Sequence, residues 1–307
     1  MVRADLRVRL ADGTEVGYTE AGDPDGRPML HLHGTPGSRL EVGLPAARRA
    51  AEELGVRLIG LDRPGVGLSP FRRFSLRDYP QLVQGFAAAL GLERFAVTGV
   101  SSGGKYACAC AWALPDLVTR AVLASSTCSF DLPGAKATWS TEDRLVYTLA
   151  GRAPWLLRLM YAKVVHDVRR DPEAIFALMK DLGPADQDIL ARADFRQAFG
   201  LNAAEAFRQG SRGPAYDYTL EARSWGVPLG QIRVPVEIWH GDDDRLVSPQ
   251  QSKILAAAIP GATTHFVPGQ GHLLLGGDHA KNALQSALGG PQPLAGPGRC
   301  PWRVQAR

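Results

Sequence analysis

Between residues 28 and 123 the chain repeats one pattern: a short apolar run, a turn, then a longer run with its apolar residues on one face. The short runs are residues 28–33, 56–61, 95–100 and 119–123. Their length and β-branched content suit strands buried on both faces. The longer runs, 40–54, 76–90 and 103–114, have helical spacing, and Pro115 stops the last of them. Strands that alternate with helices lie parallel, and the helices cover both faces of their sheet. Two more strands, 6–10 and 15–21, precede this stretch as a hairpin closed by Ala11-Asp12-Gly13.

The alternation stops near Ser129. From there to Leu229 the spacing is helical, with candidate helices at 141–151, 154–168, 172–182 and 195–209. It resumes with a strand at 234–240, a helix at 249–259, a strand at 263–267 and a helix at 273–288. The expected architecture is α/β: a mostly parallel eight-stranded sheet with helices on both faces. Its core comprises residues 1–128 and 230–290, with a helical cap at 129–229. A cap inserted there lies over the carboxyl ends of the strands, where open α/β sheets bind ligands. Residues 291–307 have the composition of a loop-rich tail.

The chain's 307 residues can bury a core of this size. The net charge of +4 arises from scattered arginines such as Arg48, Arg49, Arg72 and Arg73, with no basic run interleaved with aromatics. Nucleic acid is therefore not an expected partner. The amino terminus alternates charged and apolar residues like an edge strand, not a signal peptide, and no apolar run approaches membrane-spanning length. A cytoplasmic protein without membrane contact is expected, acting on a small molecule; the sequence carries no sign of its oligomeric state. The four cysteines lack metal-ligand or disulfide-framework spacing. Cys108 and Cys110 suit buried structural thiols, and neither metal nor cofactor is expected.

The chemistry concentrates at Gly99-Val100-Ser101-Ser102-Gly103, between a strand and a helix. A serine on a tight strand-to-helix turn has a strained backbone and an exposed hydroxyl. Side chains two residues to either side would collide, which favours glycine at both places. A hydroxyl needs a base, and the base needs an orienting partner. Of seven histidines, His272 in Gly269-Gln270-Gly271-His272 follows a strand and precedes the last helix, which suits the base. The acid is expected after strand 234–240, in Gly241-Asp242-Asp243-Asp244. Asp244 takes that role, while Asp242 and Asp243 suit turn formation. His33 suits orientation of its own loop, and His240 suits packing or a solvent-facing place. An oxyanion hole needs two backbone N–H groups. Ser102 supplies one at a helix amino end, and Thr35 the other, since Pro36 has none to donate.

The order Ser101, Asp244, His272 differs from that of the two well-known serine protease types. With His33-Gly34-Thr35-Pro36-Gly37-Ser38 and Asp62-Arg63-Pro64-Gly65-Val66-Gly67-Leu68-Ser69, the chain resembles the capped branch of the α/β-hydrolase superfamily from residue 33 to 272. The resemblance implies a Ser-His-Asp triad and an acyl-enzyme formed from a small or medium ester, lactone or related acyl compound. It also implies that Asp62-Arg63-Pro64-Gly65 is a structural turn with Arg63 in a salt bridge. Serine at the elbow argues against epoxide hydrolases and haloalkane dehalogenases, which use aspartate there. Alternatives are a carbon–carbon bond hydrolase or biosynthetic cyclase on the same residues, a proline iminopeptidase-like enzyme using Glu205 or Glu221 to hold an amine, and a non-catalytic ligand receptor. Trp139, Trp155, Tyr161, Phe207, Tyr218 and Trp225 are among the aromatics expected to supply two or three pocket-lining rings.

Overall fold

A computed structural model describes residues 2–289; the expected tail at 291–307 lies outside the described residues. Among these residues, eight strands form one sheet: β1 (Val2–Arg9), β2 (Glu15–Gly22), β3 (Arg27–Leu32), β4 (Val56–Leu61), β5 (Phe95–Val100), β6 (Val118–Ala124), β7 (Val236–Gly241) and β8 (Thr263–Val267). Their spatial order is β1-β2-β4-β3-β5-β6-β7-β8. β2 is antiparallel to both β1 and β4, and the other pairs are parallel. The central strands are buried along nearly their whole length, as strands with helices on both faces must be. β1 begins at Val2, earlier than expected. A register shift between Arg3 and Leu6, with Asp5 in the left-handed region (φ 61°), lets charged residues continue an exposed edge strand.

The helices flanking β3 to β6 are α1 (Pro45–Glu53), α2 (Tyr79–Ala89) and α3 (Gly103–Ala113). The expected helix at 40–54 is broken. Arg39–Gly43 forms a 3₁₀ turn, and Pro45, which cannot donate an N–H, opens α1 afresh. Between β6 and β7 come α4 (Thr141–Arg152), α5 (Pro154–Arg170), α6 (Pro184–Leu190), α7 (Ala193–Ala206) and α8 (Arg212–Glu221). Residues 172–178 form a 3₁₀ stretch where an α-helix was expected, and α6 and α8 are additional to the expected set. After β7, α9 (Pro249–Ala258) and α10 (Ala280–Ala287) complete the layers. The expected helix at 273–288 is a short 3₁₀ turn at Leu274–Gly276 followed by α10.

Two apolar layers sandwich the sheet. One gathers Leu30, Ile59, Val83, Phe86, Val97, Tyr106 and Ile238; the other gathers Met29, Leu58, Ala96, Val122, Ala50 and Leu284. Neighbouring strand residues divide between the layers, as a period of two requires. The helices between β6 and β7 have a separate core built on Val168, Ile175, Phe195, Phe199 and Phe207. No helix among the described residues is long and apolar enough to cross a membrane.

Candidate active site

Ser101 leaves β5 with φ at 52°, a left-handed conformation that non-glycine residues rarely hold, and its N–H donates to Ala124 O at 2.9 Å. The elbow glycines owe their places to crowding. A Cβ on Gly103 would overlap the Leu32 carbonyl of β3, and one on Gly99 would stand 2.5 Å from Gly103 O. The loop after β3 crosses beside the serine: a Cβ on Gly34 would lie 3.6 Å from Ser101 Cβ. His33 fixes that loop from below. Its Nδ1 lies 2.8 Å from Gly34 O, and its Nε2 faces the Arg63 N–H at 3.4 Å. Burial, then the Arg63 charge, holds His33 well below the usual imidazole range, so it stays neutral and donates from Nδ1.

Gly34 N–H donates to Glu41 Oε2 at 2.9 Å. Among the described residues, neither the Thr35 nor the Ser102 N–H has a protein acceptor. The Thr35 hydroxyl is engaged as well. It donates to Asp217 Oδ2 at 2.9 Å and accepts from Arg63 Nη2 at 2.8 Å.

The loops after β7 and β8 meet at the same edge of the sheet. Asp242 Oδ1 accepts the Gly269 N–H at 2.7 Å, and Asp243 N–H donates to Gln270 O at 3.0 Å. Asp244 then reaches His272, with Oδ2 2.8 Å from Nδ1. Its other oxygen accepts the Leu246 and Val247 N–H groups at 2.9 Å each. Burial favours the neutral acid, yet His272 and His240 outweigh it and hold Asp244 far below the usual carboxylate range. For His272 burial again opposes charge, but Asp244, then Asp186 and Glu41, raise its pKa above the ordinary 6.5. Asp243 instead pairs with the exposed Arg245 at 3.3 Å. Among the described residues no hydrogen bond joins the Ser101 hydroxyl to His272.

His240 departs from the expectation of packing or solvent exposure. It is buried, with Nε2 3.0 Å from Asp244 Oδ2 and 2.9 Å from Val247 O, and Nδ1 2.6 Å from Ser252 Oγ. Asp244 therefore lies between two imidazoles. The sequence offered a hint in the spacing of four residues between His240 and Asp244 at a strand end.

Helix α8 brings two carboxylates to the sheet edge. Asp217 meets Arg63 Nη2 at 2.6 Å and the Tyr106 hydroxyl at 2.5 Å. Against burial, Arg63, Lys105 and Tyr106 lower its pKa to about 2. Four residues on, one helical turn along the same face, Glu221 pairs with Lys105 Nζ at 2.5 Å, and Lys105 Nζ also donates to Ser102 Oγ. Lys105, Arg63, Asp217 and Glu221 are all buried. Arg63 has the expected salt bridge, but its partner comes from the helical segment, while Asp62 pairs with Arg39.

Trp139, Tyr147, Tyr218 and Tyr161 form a chain of ring contacts with centroids 4.8 to 6.4 Å apart. Burial raises all three phenols, although each ring keeps some exposure. Tyr147 was not among the expected lining residues. Trp155 is 64% exposed and faces solvent, whereas Phe207 and Trp225 are buried in the apolar cores.

Residues 27–277 match the family model described as alpha/beta hydrolase fold. This chain belongs to the alpha/beta-hydrolase family. The chain is 30% identical over 254 residues to a 2-hydroxy-6-oxononadienedioate/2-hydroxy-6-oxononatrienedioate hydrolase of Cupriavidus pinatubonensis, a match that covers 80% of each chain. It is 34% identical over 123 residues to a probable proline iminopeptidase of Streptomyces coelicolor, but that match spans only 37% of each protein. Among solved structures, an alpha/beta hydrolase fold protein from Nakamurella multipartita superposes with a TM-score of 0.66 at 25% identity, covering 93% of this chain and 98% of that one.

Proposed function

We propose that this hydrolase cleaves uncharged esters or lactones of small to medium size through a Ser101–His272–Asp244 triad, beneath a cap formed by residues 129–229. The observation that carries the reading is the 2.8 Å contact of His272 Nδ1 with Asp244 at the edge where Ser101 leaves β5 in a left-handed conformation. Ser101 Oγ attacks the carbonyl carbon, and His272 Nε2 takes its proton. The tetrahedral oxyanion lies against the Thr35 and Ser102 N–H groups. Its collapse expels the alcohol oxygen, protonated by His272, and leaves an acyl-enzyme. Water then attacks with His272 as base and releases the acid. Asp244 stabilises the imidazolium and fixes its tautomer. Serine-to-base contacts commonly tighten only once substrate is bound, so a missing bond in the free enzyme is compatible with this chemistry.

Charge pairing supports an uncharged substrate. Arg63 and Lys105 are paired with Asp217 and Glu221. An iminopeptidase reading needs a carboxylate to hold an amine, yet Glu205 pairs with Arg39 and Arg208, and Glu221 with Lys105. The Cupriavidus relative keeps a second reading in view, hydrolysis beside a ketone with the same residues. A panel of neutral p-nitrophenyl esters, lactones and vinylogous diketones separates the two. Turnover of neutral esters or lactones with a saturable KM supports the first; turnover confined to diketones overturns it.

A further inference from the structure

The two backbone amides that carry the base end on a carboxylate from another part of the fold. His272 N–H donates to Asp186 Oδ2 at 2.9 Å, and Leu273 N–H donates to Asp186 Oδ1 at 2.8 Å. Asp186 belongs to α6, in the helical segment between β6 and β7, and is fully buried. The same carboxylate explains Gly271. That glycine has no left-handed φ, but a Cβ there would overlap all three carboxylate atoms of Asp186. The turn is made at Gly269 (φ 69°), and Gly271 makes room for Asp186.

We propose that Asp186 is a positioning residue for the base, clamping the His272 loop so that the imidazole meets Asp244 only while the helical segment is seated on the sheet edge. The proposal rests on the triad reading above. Neutral acceptors such as water could satisfy two amides; a buried carboxylate does so at a desolvation cost. Burial first, and then the nearby Asp244, raise the Asp186 pKa even though the two amide bonds and His272 oppose them. A charge kept there acts on the imidazole as well as on the loop. The groups facing His272 are Asp244 after β7, Asp186 on α6 and Glu41 after β3. Glu41 is itself 3.1 Å from His31 Nε2, and Asp244 is shared with His240. Removing the Asp186 charge therefore lowers the pKa of His272, while removing its second acceptor loosens the loop.

The test uses the full chain and a fluorophosphonate as a substrate-independent probe of Ser101. Asp186→Asn keeps the shape but offers one acceptor and no charge. Its plateau labelling rate is expected to fall by about 10-fold or more, since small displacements of catalytic groups are costly. Its acid limb should move to lower pH, with KM for a working ester changed by less than about 2-fold. A folded Asp186→Asn protein with the wild-type rate and pH profile overturns the proposal. Should that variant fail to fold, amide exchange of the wild type decides. His272 and Leu273 amides that open together with α6 support the clamp; amides that open only with β8 overturn it. Equal labelling rates for wild type and His272→Ala refute the triad reading instead, so the two failures are distinguishable.

Discussion

Asp244 holds two imidazoles at once, and that arrangement sets the pH behaviour expected of the base. The triad reading requires neutral His272, and its pKa is raised above 6.5. Protonation therefore removes activity at higher pH than an ordinary histidine would. The acid limb of kcat/KM should lie above pH 6.5, and Asp244→Asn should shift it downward while cutting kcat by about 10³–10⁴-fold. Asp243→Asn, which disturbs only a pair with exposed Arg245, should leave the profile in place. A large loss from Asp243→Asn with little from Asp244→Asn would reverse the acid assignment. The residues proposed as the triad, Ser101, His272 and Asp244, stand out in sequence because each follows a strand in a fixed order with glycine nearby. Asp186 does not stand out, because a buried carboxylate carries no local pattern, and His240 leaves only its spacing of four residues from Asp244. Only the close approach at Gly271 betrays Asp186, and glycine in a loop reads first as a turn.

Helices and strands were readable where one period ran uninterrupted. Residues 56–61 and 95–100 appear as β4 and β5 with the boundaries expected. The sequence pattern runs together elements that a proline or a tightened turn divides, as at Pro45 and in residues 273–288. It passed over α6 and α8, which are short and carry Asp186, Asp217 and Glu221 on faces that would otherwise be apolar. The strand-to-helix elbow makes the sharper prediction. Gly103→Ala drives a methyl into the Leu32 carbonyl and should cost more than about 4 kcal/mol in denaturant unfolding. Gly43→Ala meets nothing within 4 Å and should change stability by less than about 1 kcal/mol. Equal effects from the two would show that the elbow is not the crowded turn described.

Across the whole molecule, the helical segment is held to the sheet by buried ion pairs rather than by an apolar face alone. Removing one member of Lys105–Glu221 leaves a buried charge unpaired and should cost about 3–5 kcal/mol. Replacing both, as Lys105→Met with Glu221→Leu, should recover most of that loss in thermal unfolding. A double variant no better than the worse single one would mean that the pair is not an isolated unit. None of this docking is visible in sequence, since Lys105 and Glu221 are 116 residues apart. The interruption of the α/β alternation falls between β6 and β7, where α4 to α8 form the segment proposed above as a cap. The proposed chemistry depends on a serine made reactive by a histidine. The measurement that decides it is fluorophosphonate labelling followed by peptide mapping on wild type, Ser101→Ala and His272→Ala. The expected result is stoichiometric modification of Ser101 in the wild type, none in Ser101→Ala, and a rate at least about 10³-fold lower in His272→Ala. Folded wild-type protein that stays unmodified, or that is modified at another residue, contradicts it.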